Sequence, residues 1–300
     1  MDKTVRSYLR YLALEKRYSP QTVKSYSTDL SQFSDFLSEL SDGYDIAWKN
    51  INKKNIRHFL MELQDRGLGK RSIARKVATL KSYFQYLEKQ EVIINSLASS
   101  IKMPRFDQKL PEFLSDEEIK DILNKPDLES FEGLRDRAIL ELFYSCGLRL
   151  AELINLKLED LMLRENAIRV LGKGKKERII PIGKHAKKAI LNYLDKRQKK
   201  AQVGIQELFV LGSGKKMYAM AIQRLVKKHI NEVVNVHTAS PHILRHSYAT
   251  HLLDEGANIR VVKDLLGHQN LSTTQVYTHL SIEHLQRVYK KAHPKADKKE

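Results

Sequence analysis

Six polar residues in the latter part of the chain have types and spacing suited to chemistry at phosphorus. Arg149 follows a glycine at a helix start, and Lys173 stands on a glycine-flanked turn. His242 and Arg245 lie one helical turn apart, His268 follows Gly267, and Tyr277 comes nine residues later. Two arginines can clamp the non-bridging oxygens of a phosphodiester bidentately. They favour the pentavalent transition state, where the charge is more concentrated. A phenol is a credible nucleophile for phosphorus, but its free pKa of about 10 leaves only roughly one in a thousand ionised at neutral pH. A base or a strong positive field must assist, and the histidine–arginine set supplies both. The departing alkoxide needs a proton, and a lysine on a flexible hairpin can reach to give one.

Other chemistries fit less well. The stretch Gly172-Lys173-Gly174-Lys175-Lys176 lies between two strands and runs on into Glu177. A phosphate-cradling loop needs GxxxxGK[ST] between a strand and a helix, so this reads as a hairpin with a cationic tip. His242 and His246 stand at i,i+4 with His251 near, but Arg245 sits between them and no HExxH motif or carboxylate at ligand spacing accompanies them. No metal site and no cofactor are expected. His246 and His251 read as core or surface residues. The single cysteine, Cys146, excludes an internal disulfide and a cysteine-based zinc cluster.

The elements that must position these residues come next. A chain of 300 residues suggests two domains. The net charge of +17 is shared, +8 up to residue 110 and +9 beyond it. Two basic domains suggest a polyanion that both touch, most simply DNA or RNA. No apolar run reaches the ~18–20 residues of a membrane span, and the start lacks the apolar stretch of a secretory signal. A cytoplasmic location is expected.

Four helices are expected in residues 1–94: over 1–18, from Ser19-Pro20 to Leu40, from Asn50 to Leu63, and from Lys70 to Lys89. Arg71 and Arg75, one turn apart on the fourth, project together. With Lys76 and with Lys24 of the second helix they are candidate contacts to a nucleic-acid backbone. Residues 95–112, with two prolines and scattered charge, read as a linker. Residues 113–295 form the second domain and 296–300 a frayed tail. The second domain opens on a capping box, Ser115-Asp116-Glu117-Glu118, and a long helix from about Gly133 ends at Cys146-Gly147. After Asp160 the apolar period changes to two, giving strands over Ala167–Leu171 and Arg178–Ile182 around the cationic turn. Lys175 and Lys176 on that turn are further candidate backbone contacts. From His185 onward the pattern is again helical.

The stretches Cys146-Gly147-Leu148-Arg149-Leu150-Ala151-Glu152-Leu153, Gly172-Lys173-Gly174, Pro241-His242-Ile243-Leu244-Arg245-His246, Leu265-Leu266-Gly267-His268 and Tyr277-Thr278-His279 resemble the boxes of tyrosine site-specific recombinases, the phage integrase family. Any one box is weak; five in the right order are specific. Tyr18-Ser19-Pro20-Gln21-Thr22, with Tyr26 and Asp29-Leu30, resembles the family's helical DNA-clamping domain. The compact length and the ending Tyr289-Lys290-Lys291-Ala292-His293-Pro294 are similar to the Xer branch.

The resemblance implies a mainly α fold. A helical SAM-like amino-terminal DNA-binding domain and a mixed α+β catalytic domain with a small antiparallel sheet would close as a C-shaped clamp on DNA. It also implies roles. Tyr277 would attack the scissile phosphate, forming a 3′-phosphotyrosyl link and releasing a 5′-hydroxyl. Arg149 and Arg245 would hold the phosphate oxygens, His268 would bond the phosphate, His242 would assist proton transfer at the tyrosine, and Lys173 would protonate the leaving oxygen. Glu152 would brace Arg149, or serve only as an ordinary helix acid. Neither ATP nor metal is needed, because the phosphotyrosine keeps the bond energy. The implied partner is double-stranded DNA with a specific recombination site, exchanged through a Holliday junction by a tetramer of this chain alone or with a paralogous recombinase. A septal DNA translocase is a candidate activator, and resolution of chromosome dimers at cell division the implied role. The alternatives are an integrase or transposase of a mobile element, a type IB topoisomerase, and a catalytically silent DNA-binding protein.

Overall fold

The structure is a computed structural model. It describes residues 2–41, 48–94, 97, 101, 112–172, 177–236 and 239–267. The chain divides into two compact units, Met1–Lys109 and Leu110–Glu300.

Unit 1 is built from α1 (Lys3–Leu14), α2 (Pro20–Leu40), α3 (Lys53–Asp65) and α4 (Lys70–Lys89). Ser19 caps α2, accepting from the Thr22 amide at 3.2 Å, and Pro20 starts it, as the sequence signal requires. The first helix is shorter than its periodicity suggests, stopping at Leu14 rather than 18. Arg17 takes a left-handed φ of 51°, and the Tyr18 amide donates back to the Leu12 carbonyl at 2.9 Å, closing the turn. Tyr8, Leu12, Phe33, Val77, Leu80 and Phe84 meet in the core of the bundle.

Unit 2 runs α5 (Asp116–Asn124), α6 (Phe131–Cys146), α7 (Leu150–Ile154), β1 (Leu161–Met162), β2 (Ala167–Leu171), β3 (Glu177–Pro181), α8 (Lys184–Lys200), α9 (Ala219–Asn231), α10 (Pro241–Asp254) and α11 (Ile259–Leu266). The expected capping box is formed: the Ser115 hydroxyl accepts from the Glu118 amide at 3.2 Å, and the Glu118 carboxylate from the Ser115 amide at 2.8 Å. The long helix begins at Phe131 instead of near Gly133, because Ser130 caps it by accepting from the Gly133 amide at 3.0 Å. It is buried along nearly its whole length, packed against α8 and α10. The sheet has three antiparallel strands, β1-β2-β3, one more than expected, since the two-residue β1 is too short to show a period. Its register pairs Ile168 with Ile180 and Val170 with Arg178. No helix among the described residues is long and apolar enough to cross a membrane.

Candidate active site

The site begins at the end of α6. Gly147 takes φ 57° there, and a Cβ on it would meet the Tyr248 ring at 2.6 Å. The backbone therefore needs glycine twice over, for the left-handed turn and for the close approach of α10. Two residues on, Arg149 is the N-cap of α7. Its amide donates to Glu152 Oε2 at 2.7 Å and its Nη1 to Oε1 at 2.8 Å, so Glu152 fixes this arginine through both backbone and side chain.

Arg245 stands on the buried face of α10, one turn after His242, whose ring is exposed. Arg245 Nη1 donates to the Gly147 carbonyl, and its Nη2 to the Leu266 carbonyl at 2.7 Å. Arg149 Nη2 donates to the next carbonyl, Gly267, at 2.8 Å. The last carbonyls of a helix lack partners within it and carry the negative end of its dipole, so cations gather there. The end of α11 thus draws the two arginines from α7 and α10 to one place. Gly267 itself is left-handed, φ 64°, and ends α11.

A third guanidinium, which sequence reasoning missed, completes the cluster. Arg178 of β3 forks onto Glu152, Nη1 to Oε1 at 2.8 Å and Nη2 to Oε2 at 2.9 Å, and its Nε donates to the Leu265 carbonyl at 3.1 Å. The available signal was alternation. Arg178 shares a strand face with fully buried Ile180, so it points inward.

Burial pushes the Glu152 carboxyl up, but hydrogen bonds from Arg178 and Arg149 more than offset this and hold it below its ordinary value. Glu152 is therefore a carboxylate at neutral pH. The stability it contributes is present above its ordinary value of 4.5 and is lost as pH falls through the lowered one. Burial, then the neighbouring Arg149, push the Arg245 guanidinium down to about 10, and it remains cationic at neutral pH. Three guanidiniums surround one carboxylate, a net positive hole suited to an anion.

Of the remaining candidates, Lys173, Lys175, Lys176, His268 and Tyr277 lie outside the described residues, as does the tail 296–300. His251 is a core residue, its Nδ1 3.0 Å from the Tyr144 hydroxyl and 3.1 Å from Asp116. In unit 1, Lys24, Arg71 and Arg75 are exposed, and Arg75 pairs with Asp29. Lys76 is a correction. It is 3% exposed, and its ammonium is held by Asp29 at 2.9 Å and by Gln32 in the core between α2 and α4, so it cannot face a DNA backbone.

Removing Lys76 leaves the buried Asp29 with Arg75 and Thr79 as partners, so the cost is smaller than the about 3–5 kcal/mol of a fully stranded charge. Lys76→Ala is expected to lower the melting of unit 1 by about 4–8 °C, the shift that about 1 kcal/mol produces in a domain of this size, whereas Arg71→Ala leaves it nearly unchanged. Equal melting of the two variants would refute the buried pairing.

Known proteins resemble the chain in sequence and in fold. The Phage integrase family model matches residues 112–284, and the model of its N-terminal SAM-like domain matches residues 5–91. A tyrosine recombinase XerC of Natranaerobius thermophilus is 40% identical over 302 residues, covering 99% of this chain and all of that protein. One from Syntrophus aciditrophicus is 40% identical over 306 residues, covering 99% of each. Among solved structures, the XerH site-specific recombinase bound to palindromic difH substrate has a TM-score of 0.68 at 22% identity, covering 95% of this chain and 79% of that one. The chain therefore belongs to the phage integrase family, in its Xer branch, and is a site-specific tyrosine recombinase, a DNA strand-transfer enzyme.

Proposed function

We propose that the phenol of Tyr277 attacks the scissile phosphate while Arg149 and Arg245 hold its non-bridging oxygens. The P–O bond to the 5′-oxygen breaks as the 3′-phosphotyrosyl bond forms. The phenolic proton passes toward His242, Lys173 protonates the leaving 5′-oxygen, and His268 bonds the phosphate. The reverse attack, by a 5′-hydroxyl from a second duplex, rejoins the strands. The observation that carries this reading is the convergence of Arg149 and Arg245 on successive carbonyls at the end of α11, immediately before His268. The positive hole also addresses the phenol's difficulty, since it favours the phenolate and the doubly charged transition state together.

In this reading residues 1–94 grip DNA through Lys24, Arg71 and Arg75, residues 95–112 link, and residues 113–295 cut, with Lys175 and Lys176 beside Lys173. The chain acts in the cytoplasm as a tetramer on two synapsed sites, alone or with a paralogous recombinase. It resolves chromosome dimers at division, with a septal translocase as candidate activator. The near full-length match to proteins named XerC supports this role over that of a mobile-element integrase.

The test is covalent trapping. Protein and fragmented host DNA are incubated in chelator, quenched in detergent, and the attached DNA is sequenced. Adducts at one chromosomal locus are expected. Adducts within a mobile element would support the integrase role, and adducts scattered over all fragments would indicate a topoisomerase. Absence of adducts, with and without a second recombinase, would sink the catalytic reading.

A further inference from the structure

Arg178 has no part in the steps above, yet it is placed unlike a surface arginine. Its side chain is only 15% exposed, opposite buried Val170 in the sheet register. It touches three pieces of the site at once. Its own strand, β3, follows the segment 173–176 in sequence and pairs with β2. Its fork holds both oxygens of Glu152, which fixes Arg149 at the start of α7. Its Nε bonds the Leu265 carbonyl on the last turn of α11, and its guanidinium packs under Gly267, where a Cβ would come within 3.1 Å of Nη1.

The pattern at that helix end is regular. Successive carbonyls of Leu265, Leu266 and Gly267 accept from Arg178, Arg245 and Arg149. The other two arginines are those read as phosphate ligands; Arg178 is the one whose fork faces the carboxylate instead.

We infer that Arg178 is a positioning residue for strand cleavage, locking Glu152 and the end of α11 in one register so that Arg149 and Arg245 meet the same phosphate. This rests on the reading of Arg149 and Arg245 as phosphate ligands. The physical reason is competition. Without the fork, Glu152 loses two of its hydrogen bonds and is drawn toward Arg149 and toward Arg245, whose Nη1 is already 4.0 Å away. A carboxylate that moves onto these guanidiniums opposes the phosphate they are to hold. Lysine cannot replace the fork, because one ammonium cannot bridge both carboxylate oxygens and the Leu265 carbonyl in the same geometry.

The test compares wild type, Arg178→Lys, Glu152→Gln and the double variant of the full chain, on a nicked duplex of the sequence recovered by covalent trapping. Single-turnover cleavage at saturating DNA, DNA affinity at fixed salt, and melting are measured. Arg178→Lys is expected to cleave about 10²-fold more slowly, the cost of misplacing reacting groups by about 1 Å, with affinity and melting close to wild type. The acid limb of its pH–rate profile should move to higher pH. The charged groups facing Glu152 among the described residues are Arg149, Arg178 and Arg245, and losing the fork relieves the strongest hydrogen bond holding that carboxyl down. The two substitutions should be non-additive, the double variant being no slower than the slower single one.

Wild-type cleavage by Arg178→Lys, additive effects, or a rate loss that only tracks lost affinity or melting would each overturn the inference. No adduct from wild type would instead fail the reading of Tyr277 itself.

Discussion

Tyr277→Phe is expected to abolish covalent DNA adducts while leaving DNA affinity and melting at wild-type values. The substitution keeps the ring and removes one oxygen, so nothing but the nucleophile is lost. The loss should be complete rather than partial, because none of the described tyrosines of unit 2 is equipped to take its place. Tyr248 lies nearest the arginines, against Gly147, but it is fully buried, and burial pushes its phenol far above the ordinary value. Tyr144 is buried and likewise raised, with Asp116 beside it adding to the shift. Tyr193 is pushed up to about 12 by burial, and its hydroxyl accepts from the Val210 amide at 3.0 Å. Tyr218 is exposed at the N-cap of α9 and has no guanidinium cluster around it among the described contacts. Detergent-resistant gel shift on the trapped sequence reads the result directly. An adduct surviving in Tyr277→Phe would place the nucleophile on another residue and remove the assignment.

Much of this site could be read from residue order, and the parts that could not have physical causes. Arg149 and Arg245 were legible because each sits beside a local signal, a helix-ending glycine in one case and a proline-started helix in the other. Their meeting was expected from their chemistry and the family resemblance, but its means was not legible, since the end of α11 arrives from more than a hundred residues after Arg149. The role of Glu152 was left open between brace and ordinary helix acid. Its two oxygens accept from the Arg149 amide and guanidinium and from the Arg178 fork, a brace in geometry.

Residue type alone misplaces Lys76 on the surface, and it passes over Arg178 altogether. Arg178 is on the face of Ile180, and strand alternation already turned it inward. Lys76 falls three residues after Ile73 and four before Leu80, on the apolar stripe of α4. Asp29 likewise lies on the buried stripe of α2 with Leu30 and Phe33. A lysine and an aspartate on facing stripes predict each other, because neither charge can be buried without a partner. Helix ends were displaced where a side-chain cap or a left-handed residue decided the matter, as at Ser130 and Arg17. The sheet's third strand escaped because two residues carry no period.

The second large effect expected is at Arg245. Removing one preorganised donor from a charge-stabilising site costs roughly 10²–10³ in rate, and Arg245→Ala should reach at least that in single-turnover cleavage. Instability is the rival explanation. The alanine leaves the Gly147 and Leu266 carbonyls without this donor, at about 1–3 kcal/mol for each buried acceptor. The two together, about 2–6 kcal/mol against a domain stability of about 5–15 kcal/mol, are enough to unfold a marginal domain, so melting is measured beside cleavage.

Arg245→Lys separates the two explanations further. It keeps a cation in the hole and can satisfy one carbonyl, but a single ammonium cannot hold Gly147 and Leu266 and also present paired donors to a phosphate. Its melting should recover toward wild type while its cleavage stays low. DNA affinity should change little in either variant, because one phosphate contact among many sets register at the scissile step and adds little to the whole. A loss of affinity as large as the loss of rate would mean that Arg245 anchors DNA and does not act on the transition state. Recovery of cleavage in Arg245→Lys would mean that the hole works by charge alone, and the convergence of the arginines on the end of α11 would then be a feature of folding with no part in the chemistry.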